Sequence, residues 1–224
     1  MTSSDYRSLG RDTLAGRWGE AVLVAFVASI FGALLTQATS SLNINVENLD
    51  LPPVVLRILM IYASGVSMLS LVQFILGGTV RLGYATYLLK QYDRRENSGV
   101  GELFGQFGRF GDGFCLAFLT GLFIFLWSLL LVIPGIIATL KYSMAPFIMA
   151  ENPNMTARQA LNASTELMDG HKTELFFLEL SFIGWMILNA FTLGIGSFWL
   201  NPYMNATLAA FYRSISRPMI VDAI

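Results

Sequence analysis

The sequence has 224 residues, 54% hydrophobic and only 13% charged, with a net charge of −1 at neutral pH. Soluble domains carry charge on about a quarter of their residues, and nucleic-acid binders need a basic surface, so the composition argues against both. One cysteine (Cys115) and one histidine (His171) exclude an intrachain disulfide and a multi-cysteine metal site.

Charge is missing from long stretches. Ala21 to Val46, Ile58 to Val80, Gly113 to Leu140 and Leu180 to Tyr212 contain no Asp, Glu, Lys or Arg. A helix needs roughly 20 mostly apolar residues to cross a bilayer core of about 30 Å. Four such runs are too many for one soluble core, and two are long enough to hold a hairpin.

In chain order, the first span is expected at 21–38. Asp5, Asp12 and Glu20 precede it, unlike the short basic start of a cleaved signal, so it reads as retained. Its Ala25, Ser29 and Ala33, and its Ala28 and Gly32, recur four apart, either a spacing that lets helix backbones approach closely or simply a helix rich in small residues. A polar loop follows at Ser40 to Asp50. Leu51-Pro52-Pro53 opens a second span at 54–76, since proline is tolerated in a first turn. Val54 to Lys90 would be about 55 Å long as one helix, so part of it must leave the bilayer or kink, with Gly77-Gly78 as a loosening point. In Gly101 to Phe110 the side chains Leu103, Phe104, Phe107 and Phe110 suggest an interfacial apolar face, against which the glycines weigh.

A third span is expected at 114–133, a turn at Pro134-Gly135, and a fourth span at 136–150. At about 23 Å the fourth is short, and it contains Lys141 and Pro146. Thr156 to Met168 reads as an amphipathic helix with Ala157, Ala160, Leu161, Ser164, Leu167 and Met168 on one face. Thr156 and Gln159 form its capping box, and Gly170 ends it. The fifth and sixth spans are expected at 173–193 and 197–212, joined by a turn at Gly194-Ile195-Gly196.

Charge placement gives an independent check. With the N-terminus inside, cytoplasmic segments collect Arg7, Arg11, Arg17, Lys90, Arg94, Arg95, Arg109, Arg158, Lys172, Arg213 and Arg217, eleven of the 14 basic residues. The three outer loops hold none, which is the asymmetry the positive-inside rule describes. Without the fourth crossing, four of these residues would lie outside. The expectation is therefore an all-α bundle of about six spans, one integral membrane domain over 1–224, with both termini cytoplasmic and one or two amphipathic helices on the cytoplasmic face.

The chain also carries recognisable runs. Tyr142 to Pro146, Glu166-Leu-Met-Asp-Gly-His-Lys172, Leu180-Ser-Phe-Ile-Gly-Trp185 and Thr192-Leu-Gly-Ile-Gly196 lead into Asn201-Pro-Tyr203 and Phe211-Tyr-Arg213. With Leu14-Ala-Gly-Arg-Trp18 and Leu126-Trp127 through Ile133-Pro-Gly135, these resemble a bacterial family of integral membrane proteins, number 975 among the domains of unknown function. The resemblance implies a multi-pass protein of the plasma membrane and no assigned activity, so no catalytic residue follows from it. The Pro134-Gly135 hairpin, followed by an Ala-Leu-x-x-Ser helix, is also distantly similar to the membrane domain of some glycerophosphodiester phosphodiesterases.

Ionisable and amide groups at membrane depth are functional candidates because placing them there is costly. Arg81, Lys141, Glu179 and Asn189 form this set. A Lys141–Glu179 or Arg81–Glu179 pair would serve either a transport site or helix register. Asn201, Pro202 and Tyr203 form a second candidate, either a broken-helix ligand site or a simple kink. His171 with Asp169 and Glu174 offers weak metal ligands, set against ordinary polar residues at a membrane edge. Trp18, Trp127, Trp185 and Trp199 include interface anchors. No His-Glu-x-x-His, Gly-x-Ser-x-Gly or phosphate-binding loop occurs, so neither an enzyme activity nor a cofactor is expected. The partners expected are the lipid bilayer and a membrane protein or second copy, with no nucleic acid. Two functions fit: a non-enzymatic envelope scaffold, partner or sensor protein, and a small-molecule or lipid transporter using Lys141 and Glu179.

Overall fold

The computed structural model describes residues 2–30, 75–93, 99–192 and 195–221, and among these every regular element is helical. The end of the first expected span, the Ser40 to Asp50 loop and nearly all of the second span lie outside the described residues.

Helix α1 (Ser3–Leu14) buries Tyr6, Gly10 and Leu14, a stripe spaced by four. The Thr2 amide donates to the Asp5 carboxylate at 2.7 Å, which satisfies one open donor of the first turn and holds the Asp5 pKa below its usual range. Gly16 turns the chain at φ +79, and α2 (Trp18–Ile30) follows. It buries Ala21, Val24, Ala25 and Ala28 and leaves Leu23 and Phe26 facing outward.

Residues 75–92 are helical and are numbered α3. Among the described residues the helix includes Gly77 and Gly78 without a break. A Cβ on Gly78 would sit 2.4 Å from the Gly113 carbonyl oxygen, and one on Gly113 would sit 2.8 Å from the Thr79 Cα. The pair lets two helix backbones cross in contact. Val80, Leu82, Tyr84, Tyr87 and Leu88 are all buried. Tyr84 and Tyr87 stack at 6.1 Å. Burial raises both phenol pKa values well above the usual range, and the Glu20 charge adds to the shift at Tyr87.

The expected interfacial helix is reduced to α4 (Gly101–Gly105) and a 3-10 turn at Phe107–Arg109. Leu103 points inward, and a Cβ on Gly83 would meet its carbonyl at 2.4 Å. Phe104 and Phe107 face outward, 5.7 Å apart. Lys90 ties α3 to α4 through Glu102 at 2.6 Å.

Helices α5 (Phe110–Leu130) and α6 (Val132–Tyr142) form a hairpin joined at Leu131, whose backbone is extended (φ −166, ψ 154). The turn thus precedes Pro134-Gly135, which lie in the first turn of α6. Proline is harmless there because first-turn amides have no intrahelical partner. Gly135 serves the packing instead: a Cβ on it would meet the Ser128 Oγ at 2.2 Å. Helix α7 (Ala145–Glu151) carries Pro146 in its first turn.

Helix α8 (Ala157–Leu167) has Thr156 and Gln159 as its capping box and buries Ala157, Ala160, Leu161, Ser164 and Leu167. Gly170 follows at φ +79. Each of these features was expected from the sequence. The α8 apolar face packs on α5, α6 and α7. The region of the fifth expected span holds two helices, α9 (Lys172–Leu180) and α10 (Ile183–Phe191). At the break the Ser181 hydroxyl returns to the Leu178 carbonyl at 2.6 Å, and the Phe182 amide reaches only three residues back, to Glu179. Helix α11 (Ser197–Val221) closes the fold.

Helix α11 runs antiparallel to α1. Tyr6 meets Phe211 edge-on at 5.1 Å, the Ser214 hydroxyl reaches the Tyr6 hydroxyl at 3.4 Å, and Gly10 sits directly on Thr207. The core is in two parts. One gathers α1, α2, α3, α9 and α11, with Phe147 and Ile148 of α7 and Leu167 of α8, around Tyr87 and Phe211; the other joins Leu82 of α3 to α5, α6, α7 and α8. Among the described residues, two helical stretches, Gly101–Leu129 and Ile133–Glu151, are long and apolar enough to cross a membrane. They correspond to the third and fourth expected spans.

Candidate functional site

The sequence candidates do not converge on one centre. Arg81 is exposed on α3. Lys141 is half-buried, with its Nζ 5.4 Å from the ring centroid of the adjacent Tyr142, and its carbonyl accepts from the Ser164 hydroxyl at 2.9 Å. Glu179 is half-buried on α9, and among the described residues no ion pair joins it to Lys141 or Arg81. His171 pairs with Glu174 at 3.2 Å and Lys172 with Asp169 at 3.2 Å. No group of three or more potential metal ligands occurs among the described residues.

Asn189 and Tyr203 are brought together. They line a cavity of about 380 Å3 that opens between α1, α10 and α11, with Trp18 at the start of α2. Its walls also include Arg11, Trp185, Leu188, Thr192, Trp199 and Leu200, so three of the four tryptophans share one groove. The α10–α11 connection builds one end of it. Thr192 Oγ1 donates to the Asn189 carbonyl at 2.9 Å and accepts from the Gly196 amide at 3.2 Å. The Asn189 Oδ1 is buried without a partner, and a Cβ on Gly196 would lie 2.8 Å from it. Glycine is needed there for close approach. Tyr203 is braced from behind by Phe182, edge-on at 5.4 Å.

Pro202 does not break α11. The helix runs unbroken from Ser197 onward, Pro202 is buried, and the Asn205 side chain donates to the Asn201 carbonyl at 2.8 Å. This corrects the broken-helix reading of Asn201, Pro202 and Tyr203. Proline removes the amide that would reach the Phe198 carbonyl, and the helix nevertheless continues past it.

A second polar centre carries no sequence signal. Arg213 bonds Glu151 through one guanidinium nitrogen and Asp93 through another, the latter at 2.6 Å, and Tyr212 donates its hydroxyl to Glu151. The Arg213 side chain is 13% exposed and its two carboxylate partners about a quarter, so the cluster is largely withdrawn from water. It fastens α11 to α7 and to the end of α3. The partners lie 62 and 120 residues from Arg213, so no local spacing announces them.

The protein family model described as "Protein of unknown function (DUF975)" matches residues 1–138 and 129–218. The chain belongs to this family. Its two matched segments reach from α1 into α11 and so include both the groove and the Arg213 cluster. No curated protein and no solved structure matches the chain.

Proposed function

We propose that this DUF975 chain is one multi-pass plasma-membrane domain of six spans, with both termini in the cytoplasm. We further propose that it acts as a non-enzymatic scaffold, partner or sensor protein of the bacterial envelope. One observation carries the membrane reading: large apolar side chains lie bare at the helix tips. Leu129 and Ile133 at the α5–α6 tip are 76% and 71% exposed, and Phe191 and Ile195 at the α10–α11 tip are 81% and 62% exposed. Patches of this kind on a protein in water mark an interaction surface, and lipid is the partner that covers several tips at once.

The polar groups lie elsewhere. From Trp199 to Arg213 the axis of α11 covers about 21 Å, from an exposed aromatic turn to a buried ionic cluster. The α1–α11 pairing supports an even number of crossings, because Tyr6 and Phe211 sit at the same end of the molecule. Helices α9 and α10 act together as one span with a tightened turn on this reading.

A transporter built on Lys141 and Glu179 has less support, since neither residue lines the groove. Single cysteines in a Cys115→Ser chain test the topology. Ile133→Cys and Ile195→Cys are expected to react with a membrane-impermeant thiol reagent on whole cells, and Arg158→Cys only after the membrane is opened. Labelling of Arg158→Cys on whole cells, or extraction of the protein by alkaline carbonate, would sink the reading.

A further inference from the structure

Helix α5 covers about 30 Å from Phe110 to Leu130, which matches a hydrocarbon core of about 30 Å. On the topology proposed above, the α5–α6 tip is outside, so Phe110 stands at the inner edge of that core. The chain enters α5 there from Gly101–Arg109. Packing holds this segment at the same level. Gly78 of α3 crosses α5 at Gly113, and Leu103 seats on Gly83, about 7.5 Å farther along α3. Leu103 faces inward, while Phe104 and Phe107 are exposed, with ring centroids 5.7 Å apart.

The polar groups beside these rings are engaged within the protein. Glu102 holds Lys90 at 2.6 Å, Gln106 donates to the Thr86 hydroxyl at 3.3 Å, and Arg109 reaches Asp112 at 3.4 Å and the Met149 carbonyl at 3.3 Å. A Cβ on Gly101, Gly105 or Gly108 would meet nothing within 4 Å, and none of the three has a positive φ, so neither packing nor backbone geometry calls for glycine there. Glycine weakens a helix relative to alanine, so the rings ride on weakly held backbone. An apolar pair flanked by neutralised charges gains little from headgroup charge and gains by entering the acyl region. The opening it needs is a gap between headgroups, which widens as lipid packing loosens. We infer that Phe104 and Phe107 form a foot that inserts into the inner leaflet when its lipids are loosely packed and is expelled when they are tight. This gives the sensor role a stimulus, and it rests on the membrane reading given above.

A fluorophore placed between the rings supplies the test. In a Cys115→Ser chain, Gly105→Cys carries the dye, and Leu122→Cys, exposed in the middle of α5, carries the same dye as a control. The protein is reconstituted in loosely packed dioleoylphosphatidylcholine vesicles, or in palmitoyl-oleoylphosphatidylcholine vesicles tightened with cholesterol. Lipids with a nitroxide on the acyl chain report insertion, and iodide on both faces of the membrane reports contact with water. The Gly105 label is expected to meet the nitroxide in the loose bilayer and iodide in the tight one. The ratio of inserted to expelled label should change about ten-fold, the scale of burying part of an aromatic side chain. Phe104→Ser/Phe107→Ser is expected to leave the label in water in both bilayers. Iodide quenching in both bilayers with the rings intact overturns the proposal, and so does nitroxide quenching that ignores packing or survives the double substitution. Shielding from both quenchers overturns it too, since protein would then cover the rings. A Leu122 label that escapes the nitroxide overturns the membrane reading instead.

Discussion

Arg213 is the side chain on which three elements depend, since Glu151 of α7 and Asp93 beyond α3 both reach it. Removing the guanidinium while leaving both carboxylates strands two half-buried negative charges together. Arg213→Met is therefore expected to cost about 2–3 kcal/mol, less than for a fully sealed pair because the carboxylates are partly exposed. Denaturant unfolding in detergent measures this, and the double variant Arg213→Met/Glu151→Leu should recover part of the loss. A midpoint unchanged by Arg213→Met would show that the cluster is ornamental. Sequence reading had Arg213 as one more cytoplasmic charge and as the end of the Phe211-Tyr-Arg213 run, without partners, because these lie a long way off along the chain. It also read Trp18, Trp185 and Trp199 as separate interface anchors. That they share a groove depends on how α1 and α10 fold onto α11, which neither periodicity nor hydropathy encodes.

Among the elements, α8 was the most legible. Its capping box, its i, i+3, i+4 apolar face and its terminal glycine are all short-range signals, and each had the expected consequence. Thr156→Ala is expected to cost about 1 kcal/mol, the usual value of an N-cap side chain. The Gly77-Gly78 pair of α3 shows the opposite case. Gly77-Gly78 looks like a weak point when α3 is considered alone, yet Gly78 is where α5 makes contact. A valine at 78 would force its branches into the Gly113 carbonyl and the Ala117 methyl, and an overpacked crossing costs about 1–3 kcal/mol or more. Gly78→Val should thus destabilise more than Thr156→Ala in the same unfolding assay; the reverse order would refute the contact. Pro134 and Pro202 teach a related lesson. Proline marks where a helix lacks a donor, but the chain need not turn there: Pro134 sits in the first turn of α6, and α11 continues through Pro202.

For the whole molecule, the all-α class followed from the long charge-free runs read as helices. The helix count did not, because Ser181 divides one apolar run by a local hydrogen bond that hydropathy ignores. The pairing of α1 with α11 makes a prediction at this scale: reporters fused before Ser3 and after Ile224 should occupy the same compartment, the cytoplasm. A phosphatase fusion that is active at one terminus and inactive at the other would refute the even number of crossings.

The same pairing bears on how the protein is made. Tyr6 leaves the ribosome 208 residues ahead of its contact Ser214. Throughout synthesis the apolar stripe of α1 has no seat, and every intervening helix must be in place before α11 can provide one. A chain that stalls or is cut before α11 therefore presents an unpaired Tyr6 and Leu14, a flag of unfinished synthesis that quality-control proteases could read.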